Sequence, residues 1–335
     1  MAAICYYLPM STTTTKPLAT VQLLTIDANH TGQRVDNFLI TKLKGVPKTH
    51  IYQLLRKGQV RINKGRIGPD YRLQSGDIVR IPPVRGVKAQ AEHIASAAVP
   101  QKRFAWLEEC ILYEDEAFLA IDKPAGLAVH GGSGISLGLI ETLRALRPDA
   151  RFLELVHRLD RETSGCLLVA KKRVALLALH SALRDGGFDK RYLALLKGQW
   201  QGKARRIEAS LEKSRLQSGE RRTHVSENGK KSASRFTPKR IFAHATLVEI
   251  KLLTGRTHQA RVHAAHIDQP IAGDEKYGDA NFNRQMRSKG LDRLFLHAAE
   301  LRFAHPVTAA PVVIVAPLPV GLAAFIEQLG GSGAG

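Results

Sequence analysis

A chain of 335 residues is long enough for two domains, one of them with a sizeable core. With 44% hydrophobic and 24% charged residues it is not a disordered protein, and no apolar run reaches the ~20 residues a membrane span needs, because Pro311, Pro317, Pro319 and Gly321 break the run nearest the C-terminus. Fifty Lys and Arg against 30 Asp and Glu leave a net charge of +20 and a pI near 10.1, an excess that points to a polyanionic partner, most commonly nucleic acid.

The opening residues, MAAICYYLPM, lack the basic region and long apolar stretch of a signal peptide, so a cytoplasmic protein is expected. Cys5, Cys110 and Cys166 are odd in number and widely spaced, which predicts neither a disulfide nor a structural zinc. Residues 1–32, with Ser11 to Thr15 and Lys16-Pro17, read as an N-terminal extension.

Residues 33–90 form a small basic module with 13 Lys and Arg against three Asp. Val35, Phe38, Leu39 and Leu43 recur at helical spacing, as do Ile51, Leu54 and Leu55 after Gly45-Val46-Pro47, so two short helices joined by a turn are predicted. Val60 to Asn63 alternates like a strand, and Asp77 to Ile81 makes a second strand that Pro82-Pro83 ends. This order of elements, carrying Arg34-Val35-Asp36, Leu54, Arg56-Lys57-Gly58, Val60 to Asn63 and Gly76-Asp77, resembles the S4 RNA-binding domain. The resemblance implies that the second helix and the loop after it face RNA. Lys48, Arg56, Lys57, Arg61, Lys64 and Arg66 are the matching positions. Such side chains neutralise phosphates, giving affinity and salt dependence with little sequence information. A merely solvated helix face is the weaker alternative, since few acids interleave with these bases.

Residues 91–102, rich in Ala and closed by Pro100, read as a linker, and 103–330 as a larger domain. There Ala117 to Asp122, Gly165 to Ala170, Arg191 to Leu196 and Ala245 to Leu252 are strand candidates. Ser136 to Leu146, Val174 to Arg184 and Thr257 to Ile267 have helical period. A mixed α+β fold follows.

Four segments of this domain carry polar chemistry. The first is Asp122-Lys123-Pro124-Ala125-Gly126-Leu127 with Val129-His130, where Pro-Ala-Gly makes a tight turn after a strand. The second, His157-Arg158-Leu159-Asp160-Arg161-Glu162-Thr163-Ser164-Gly165, is a charged turn between the apolar runs Phe152 to Val156 and Cys166 to Ala170. Arg158 and Arg161 beside Asp160 would keep that carboxylate ionised, as a nucleophile or general base requires. Taken alone, Asp160 in a structural salt bridge is the commoner case. The third is Lys190 to Ala194, with Tyr192. The fourth runs from Thr254-Gly255-Arg256-Thr257-His258-Gln259-Ala260-Arg261-Val262-His263 to Pro270-Ile271-Ala272-Gly273-Asp274 and Lys276-Tyr277-Gly278.

In this order the four segments resemble the pseudouridine synthases of the RluA type, whose pattern around the catalytic carboxylate is HRLD followed by TSG. The likeness covers Leu119 to Pro306. The runs His130 to Gly134, Arg144 to Pro148, Gln217 to Arg221 and Leu294 to Ala299 look like a member of that type acting on large-subunit (23S) ribosomal RNA. The fold this implies is α+β, with a mainly antiparallel catalytic sheet and a small S4-like RNA-binding domain of α and β elements. Ala260 departs from the pattern, where relatives carry Ile or Leu, and thins the packing behind Arg261.

The resemblance implies that Asp160 is the catalytic aspartate, that Tyr192 stacks on the target uracil and that Arg261 pairs with Asp160. It also implies that Arg158 enters the RNA as the base flips out. The chemistry is compatible with those roles. Breaking the bond from N1 to C1′ calls for a carboxylate at the sugar, either attacking C1′ or removing the C2′ proton. A guanidinium offers a carboxylate a rigid fork, and an aromatic face retains a detached base while it turns. His157, a lone imidazole before the loop, reads as a structural orienter.

His258, His263 and His266 lack an acid or Cys at ligand spacing, and Gly131 to Gly134 lacks the Gly-Lys-Thr ending of a phosphate loop, so neither metal nor cofactor is expected. A monomer acting on ribosomal RNA is the resulting expectation. Two alternatives remain. One is a catalytically inactive S4-type ribosome assembly factor. The other is a glycosidase, disfavoured because Glu162 is a poor second carboxylate.

Overall fold

The computed structural model describes residues 20–27, 30–43, 46–84, 104–131, 137–215 and 221–331. The chain divides into two compact units, Met1–Ala98 and Val99–Gly335. The proposed linker and most of the proposed extension lie outside the described residues, as do Gly132 to Gly134 and Gln217 to Glu220.

In the first unit, strand β1 (Gln22–Thr25) is followed by helices α1 (Val35–Lys42) and α2 (Lys48–Arg56), then by β2 (Arg61–Ile62) and β3 (Ile78–Ile81). Both predicted helices and both predicted strands are present. β1 falls within the stretch read as an extension, yet it pairs antiparallel with β3 from Gln22 opposite Ile81 to Thr25 opposite Ile78. A sheet of order β1-β3-β2 results. Val35, Phe38, Leu39, Ile51, Leu54 and Leu55 pack with Ile26, Val60, Ile62, Val79 and Ile81 into one core. After β2, Asn63 and Lys64 both take positive φ, 49° and 70°, in a two-residue turn closed by the Gly65 N–H on Ile62 O at 2.8 Å. The twist of such a turn matches that of a hairpin, and Asn63 is among the residues that tolerate it. Its side chain is then fixed by donating to Asp77 at 2.8 Å.

The second unit is built on one large sheet. Its strands are β4 (Ile111–Glu114), β5 (Phe118–Lys123), β6 (Glu154–Leu155), β7 (Ser164–Ala170), β8 (Asp189–Lys197), β9 (Arg205–Arg215), β10 (Arg221–Val225), β11 (Lys230–Ile241), β12 (Ala245–Leu252), β13 (Leu296–Ala304) and β14 (Pro311–Val315). Among the described residues the order is β10-β9-β11-β12-β8-β13-β7-β5-β4, with β14 on β13 and β6 on β7. Around it lie α3 (Trp106–Glu109), α4 (Leu139–Leu146), α5 (Arg173–Arg184), α6 (Gln259–His266), α7 (Ala280–Ser288) and α8 (Val320–Gly331). The α+β, mainly antiparallel architecture expected from the sequence is the one found.

The exception to antiparallel pairing is the contact of β7 with β13, where Ser164 faces His297 and Gly165 faces Ala298 in parallel. Gly165 has φ +107°, and a Cβ on it would stand 2.7 and 2.8 Å from the Ala298 carbonyl carbon and nitrogen. The backbone itself blocks any side chain there, which is the physical content of the glycine in Thr163-Ser164-Gly165. Beneath this join lies the main core, containing Leu119, Ile121, Leu159, Leu167, Ala194, Leu196, Val248, Ile250 and Ala298.

Candidate active site

The loop carrying Asp160 connects two paired strands, since Glu154 lies opposite Ala170 and Leu155 opposite Val169. Within it Leu159 is buried in the main core while Arg158 is exposed, so the apolar residue anchors the loop and turns its neighbours outward. A turn closes as the Thr163 N–H donates to Asp160 O at 3.1 Å. His157 Nε2 accepts the Leu168 N–H at 3.2 Å. Burial pushes the pKa of His157 down to about 4, which keeps it the neutral acceptor that bond requires.

Two further groups fix the loop from below. Lys123, fully buried at the end of β5, donates to Pro124 O at 2.7 Å, Leu127 O at 2.9 Å and Arg161 O at 3.0 Å. Burial and the nearby Arg293 lower its pKa to about 7, while the three carbonyls match the three protons of an ammonium group. Ser164 accepts from Arg293 Nη2 at 2.8 Å and is bonded to His297 Nδ1 at 2.9 Å, and His297 Nε2 reaches Ala316 O at 3.1 Å. A carbonyl can only accept, so His297 carries its proton on Nε2 and Ser164 donates to Nδ1.

Tyr192, on β8, belongs to the main core and is 8% exposed. Burial, then the charge of Asp160, raises its pKa well above the usual phenol range, so it is a neutral aromatic surface close enough to feel that carboxylate. Arg261 lies on α6 and is almost buried. Its Nη1 stands 3.4 Å from Asp160 Oδ2, which brings the two residues together. The tighter partner of Arg261 is Asp274. Arg261 Nε donates to Asp274 Oδ2 at 2.7 Å and Nη2 to Oδ1 at 2.7 Å. Asp274 Oδ1 also accepts the backbone N–H groups of Lys276 and Tyr277, each at 2.9 Å. Burial opposes the charge of Asp274, but the hydrogen bonds from Arg261 prevail and hold its pKa below the usual carboxylate range. The preceding Gly273, at φ +74°, lets this turn press against the backbone of Arg293 and Leu294.

His258 precedes α6 in a left-handed conformation, φ 55° and ψ 20°. The helix accordingly starts at Gln259, two residues later than the periodicity suggests. His258 Nε2 lies 3.6 Å from Asp160 Oδ1, and Nδ1 lies 2.7 Å from the Tyr277 hydroxyl. That hydroxyl accepts the Thr223 N–H from β10 at 3.0 Å. The Tyr277 ring meets the guanidinium of Arg261 at 5.0 Å and that of Arg222 at 5.5 Å. Gln259 is fully employed. It accepts from Thr254 Oγ1 at 2.7 Å and the Arg256 N–H at 3.0 Å, and donates to Ala233 O at 2.9 Å and Ser234 Oγ at 2.8 Å.

The arginines adjacent to Asp160 in the sequence do not hold it. Arg161 Nε donates to Gly126 O at 2.9 Å, and among the described residues the Arg158 guanidinium makes no hydrogen bond or ion pair. Glu162 is exposed and lies 3.5 Å from Arg161. Ala260 is buried in the main core behind Arg261. His263 is bonded to Ser232 Oγ at 2.8 Å, and no metal-binding cluster occurs among the described residues. In the first unit, Lys48, Arg56, Lys57, Arg61, Lys64 and Arg66 are all exposed, and Arg56 and Arg66 line one hollow with Tyr52, Leu55, Ile67 and Pro69. No described helix is long and apolar enough to cross a membrane.

Asp274, His258, Tyr277 and Lys123 were quoted as parts of motifs without roles. Asp274 had a signal, because an acid one glycine after the apolar run Pro270 to Ala272 must find a cationic partner if buried. The pairing of His258 with Asp160, across 98 positions, had none.

The RNA pseudouridylate synthase family matches residues 117–266, and the S4 domain matches residues 33–79. The chain is 58% identical over 298 residues to the ribosomal large subunit pseudouridine synthase C of Yersinia pestis, covering 89% of this chain and 92% of that one. It is 54% identical over 311 residues to the protein of the same name from Escherichia coli K12, covering 92% and 97%. Among solved structures, human RNA pseudouridylate synthase domain containing 4 superposes with a TM-score of 0.57 at 26% identity, covering 70% of this chain and 97% of that one. Human RNA pseudouridylate synthase domain containing 1 gives 0.53 at 28% identity, covering 62% and 83%.

Proposed function

Because the chain belongs to the RNA pseudouridylate synthase family, we propose that it isomerises particular uridines of large-subunit ribosomal RNA to pseudouridine, with Asp160 as the catalytic carboxylate. The substrate class comes from the names of its bacterial relatives. The reaction breaks the bond from C1′ to N1, turns the base and joins C1′ to C5. The C5 proton leaves and N1 gains one, so composition is unchanged. Asp160 acts at the sugar, by attack on C1′ or by removal of the C2′ proton.

What carries this reading is the convergence of Asp160, Arg261 and Tyr192 from three separate elements. Arg261 Nη1 at 3.4 Å from Asp160 Oδ2 keeps the carboxylate aimed. The neutral ring of Tyr192 gives the freed uracil a face on which to stay while it turns. Arg158 stacks in the gap that the flipped nucleotide leaves, a role supported by its exposure and by its lack of a partner among the described residues. The exposed bases Lys48, Arg56, Lys57, Arg61, Lys64 and Arg66 bind phosphates of the same RNA. We take residues 33–90 as the RNA-binding domain and 103–330 as the catalytic one, in a monomer that works in the cytoplasm without a cofactor.

The deciding experiment incubates the protein with unmodified large-subunit ribosomal RNA and maps pseudouridine. The wild type should form it at discrete positions, and Asp160→Asn should form none while binding RNA with nearly unchanged affinity. Tight binding without product by the wild type would favour an assembly factor. Free uracil with abasic RNA would establish hydrolysis instead.

A further inference from the structure

The Asp160 carboxylate has a donor on each oxygen. Arg261 Nη1 approaches Oδ2 at 3.4 Å, and His258 Nε2 approaches Oδ1 at 3.6 Å. A carboxylate held at one oxygen still rotates about its Cβ–Cγ bond, whereas donors on both oxygens define its plane. The first is a long hydrogen bond and the second lies just beyond one, as is common in catalytic sites before substrate closes them.

Whether His258 can donate depends on which ring nitrogen bears the proton, and its neighbours decide that. The Tyr277 oxygen accepts the Thr223 N–H at 3.0 Å and lies 2.7 Å from His258 Nδ1. Among the described residues Nδ1 is the acceptor within reach of the Tyr277 O–H, so Tyr277 donates to it, which leaves the imidazole proton on Nε2, facing Asp160. Burial lowers the pKa of His258, so the donor is a neutral N–H that adds no second charge beside Arg261. The left-handed backbone at φ 55° is uncommon for a residue other than Gly, although His is among the types enriched there, and it carries backbone strain. It is retained where it sets the ring between Asp160 and Tyr277.

The geometry points to His258 as a positioning residue that completes the alignment of Asp160, with Tyr277 and the Thr223 N–H of β10 fixing the tautomer it uses. This rests on the synthase reading above. It differs from that reading in naming the group that orients the catalytic carboxylate from the side opposite Arg261. It also ties an outer strand of the sheet to the reacting centre.

Gln and Asn replacements separate this role from a structural one. The amide nitrogen of Gln reaches the place of Nε2, whereas that of Asn takes the place of Nδ1. In single-turnover assays on unmodified ribosomal RNA, His258→Gln should stay within about fivefold of wild type. His258→Asn and His258→Ala should lose roughly 10–100-fold in rate with RNA affinity unchanged, the scale associated with a misplaced catalytic group. Tyr277→Phe should fall between them. Stability should rank differently, because Asn tolerates the left-handed backbone better than Gln does. Thermal unfolding should therefore place His258→Asn above His258→Gln while activity places it below. Wild-type rates in His258→Ala, or equal losses in the Gln and Asn variants, would overturn the positioning role. A wild-type protein that forms no pseudouridine would instead overturn the synthase reading.

Discussion

Replacing Asp274 by Asn tests the claim that the site rests on a buried ion pair. Asp274 is 1% exposed and accepts four hydrogen bonds, two from Arg261 at 2.7 Å and two from backbone N–H groups at 2.9 Å. An Asn side chain has one acceptor oxygen. Placed at Oδ1 it keeps three of the four bonds but sets its NH2 against Arg261 Nε, and all remaining bonds lose charge assistance. Removing one partner from a buried pair typically costs 3–5 kcal/mol, and about the same is expected here. With a urea dependence of about 2–3 kcal/mol per molar, the unfolding midpoint of the second unit should drop by roughly 1–2 M. Arg261 would also lose the clamp that aims Nη1 at Asp160, so single-turnover pseudouridine formation should fall about 10–100-fold, more than RNA binding does. The pH dependence has a definite sign. The folded-state pKa of Asp274 is depressed below 3.8, so its stabilisation is complete above that value and disappears as pH falls through the lower folded-state pKa. The gap between wild type and variant should therefore be constant from neutral pH to about 4 and narrow below it. Parental stability together with parental turnover in Asp274→Asn would refute the reasoning.

Gly165→Ala should destabilise the protein by about 2–6 kcal/mol, combining strain at φ +107° with a collision against the backbone at Ala298 that no side-chain movement relieves. A variant within about 0.5 kcal/mol of the parent in denaturant unfolding would mean that β7 and β13 do not approach so closely. His157 has a folded-state pKa near 4 against an ordinary 6.5, so the unfolded chain binds the extra proton between those values. Stability should fall as pH drops from 6.5 towards 4, by up to about 3 kcal/mol from this residue, and His157→Gln should flatten that slope. An identical slope in the variant would remove His157 from the account.

Much of the fold could be read from local pattern. β5, β7, β8 and β12 appear where apolar runs or alternation placed them, and α4 and α5 differ from the periodic segments by only a few residues. β9 alternates Ile207, Ala209 and Leu211 with Arg206, Glu208, Ser210 and Glu212, a strand pattern that the sequence reading passed over. It is defined by antiparallel pairing with β11, from Arg205 opposite Phe236 to Leu211 opposite Lys230. α7 is mostly polar, yet Asp279 caps it by accepting the Phe282 N–H at 2.7 Å, and Phe282 and Met286 form its buried stripe. The proposal of Asp160, Tyr192 and Arg261 as the site rests on a resemblance in motif order, not on propensity. The residues around it were hidden for a different reason: which groups meet Asp160 depends on how remote segments of the sheet are brought together. Local charge was even misleading, because Arg158 and Arg161 flank Asp160 in sequence while Arg261 and His258 face it in space.

The parallel contact between β7 and β13 also has a consequence for when the protein becomes active. Asp160 and Arg261 are 101 residues apart, and Ser164 meets His297 across 133. Contacts of such separation are the slow ones in folding, since the loop between them must close before any interaction rewards it. Hairpins such as β9–β10 and β11–β12 need only local closure. Asp160 can meet Arg261 only after 101 further residues have been made, and the Ser164 contact that holds its loop waits for His297, so the site is among the long-range, late-closing parts of the fold.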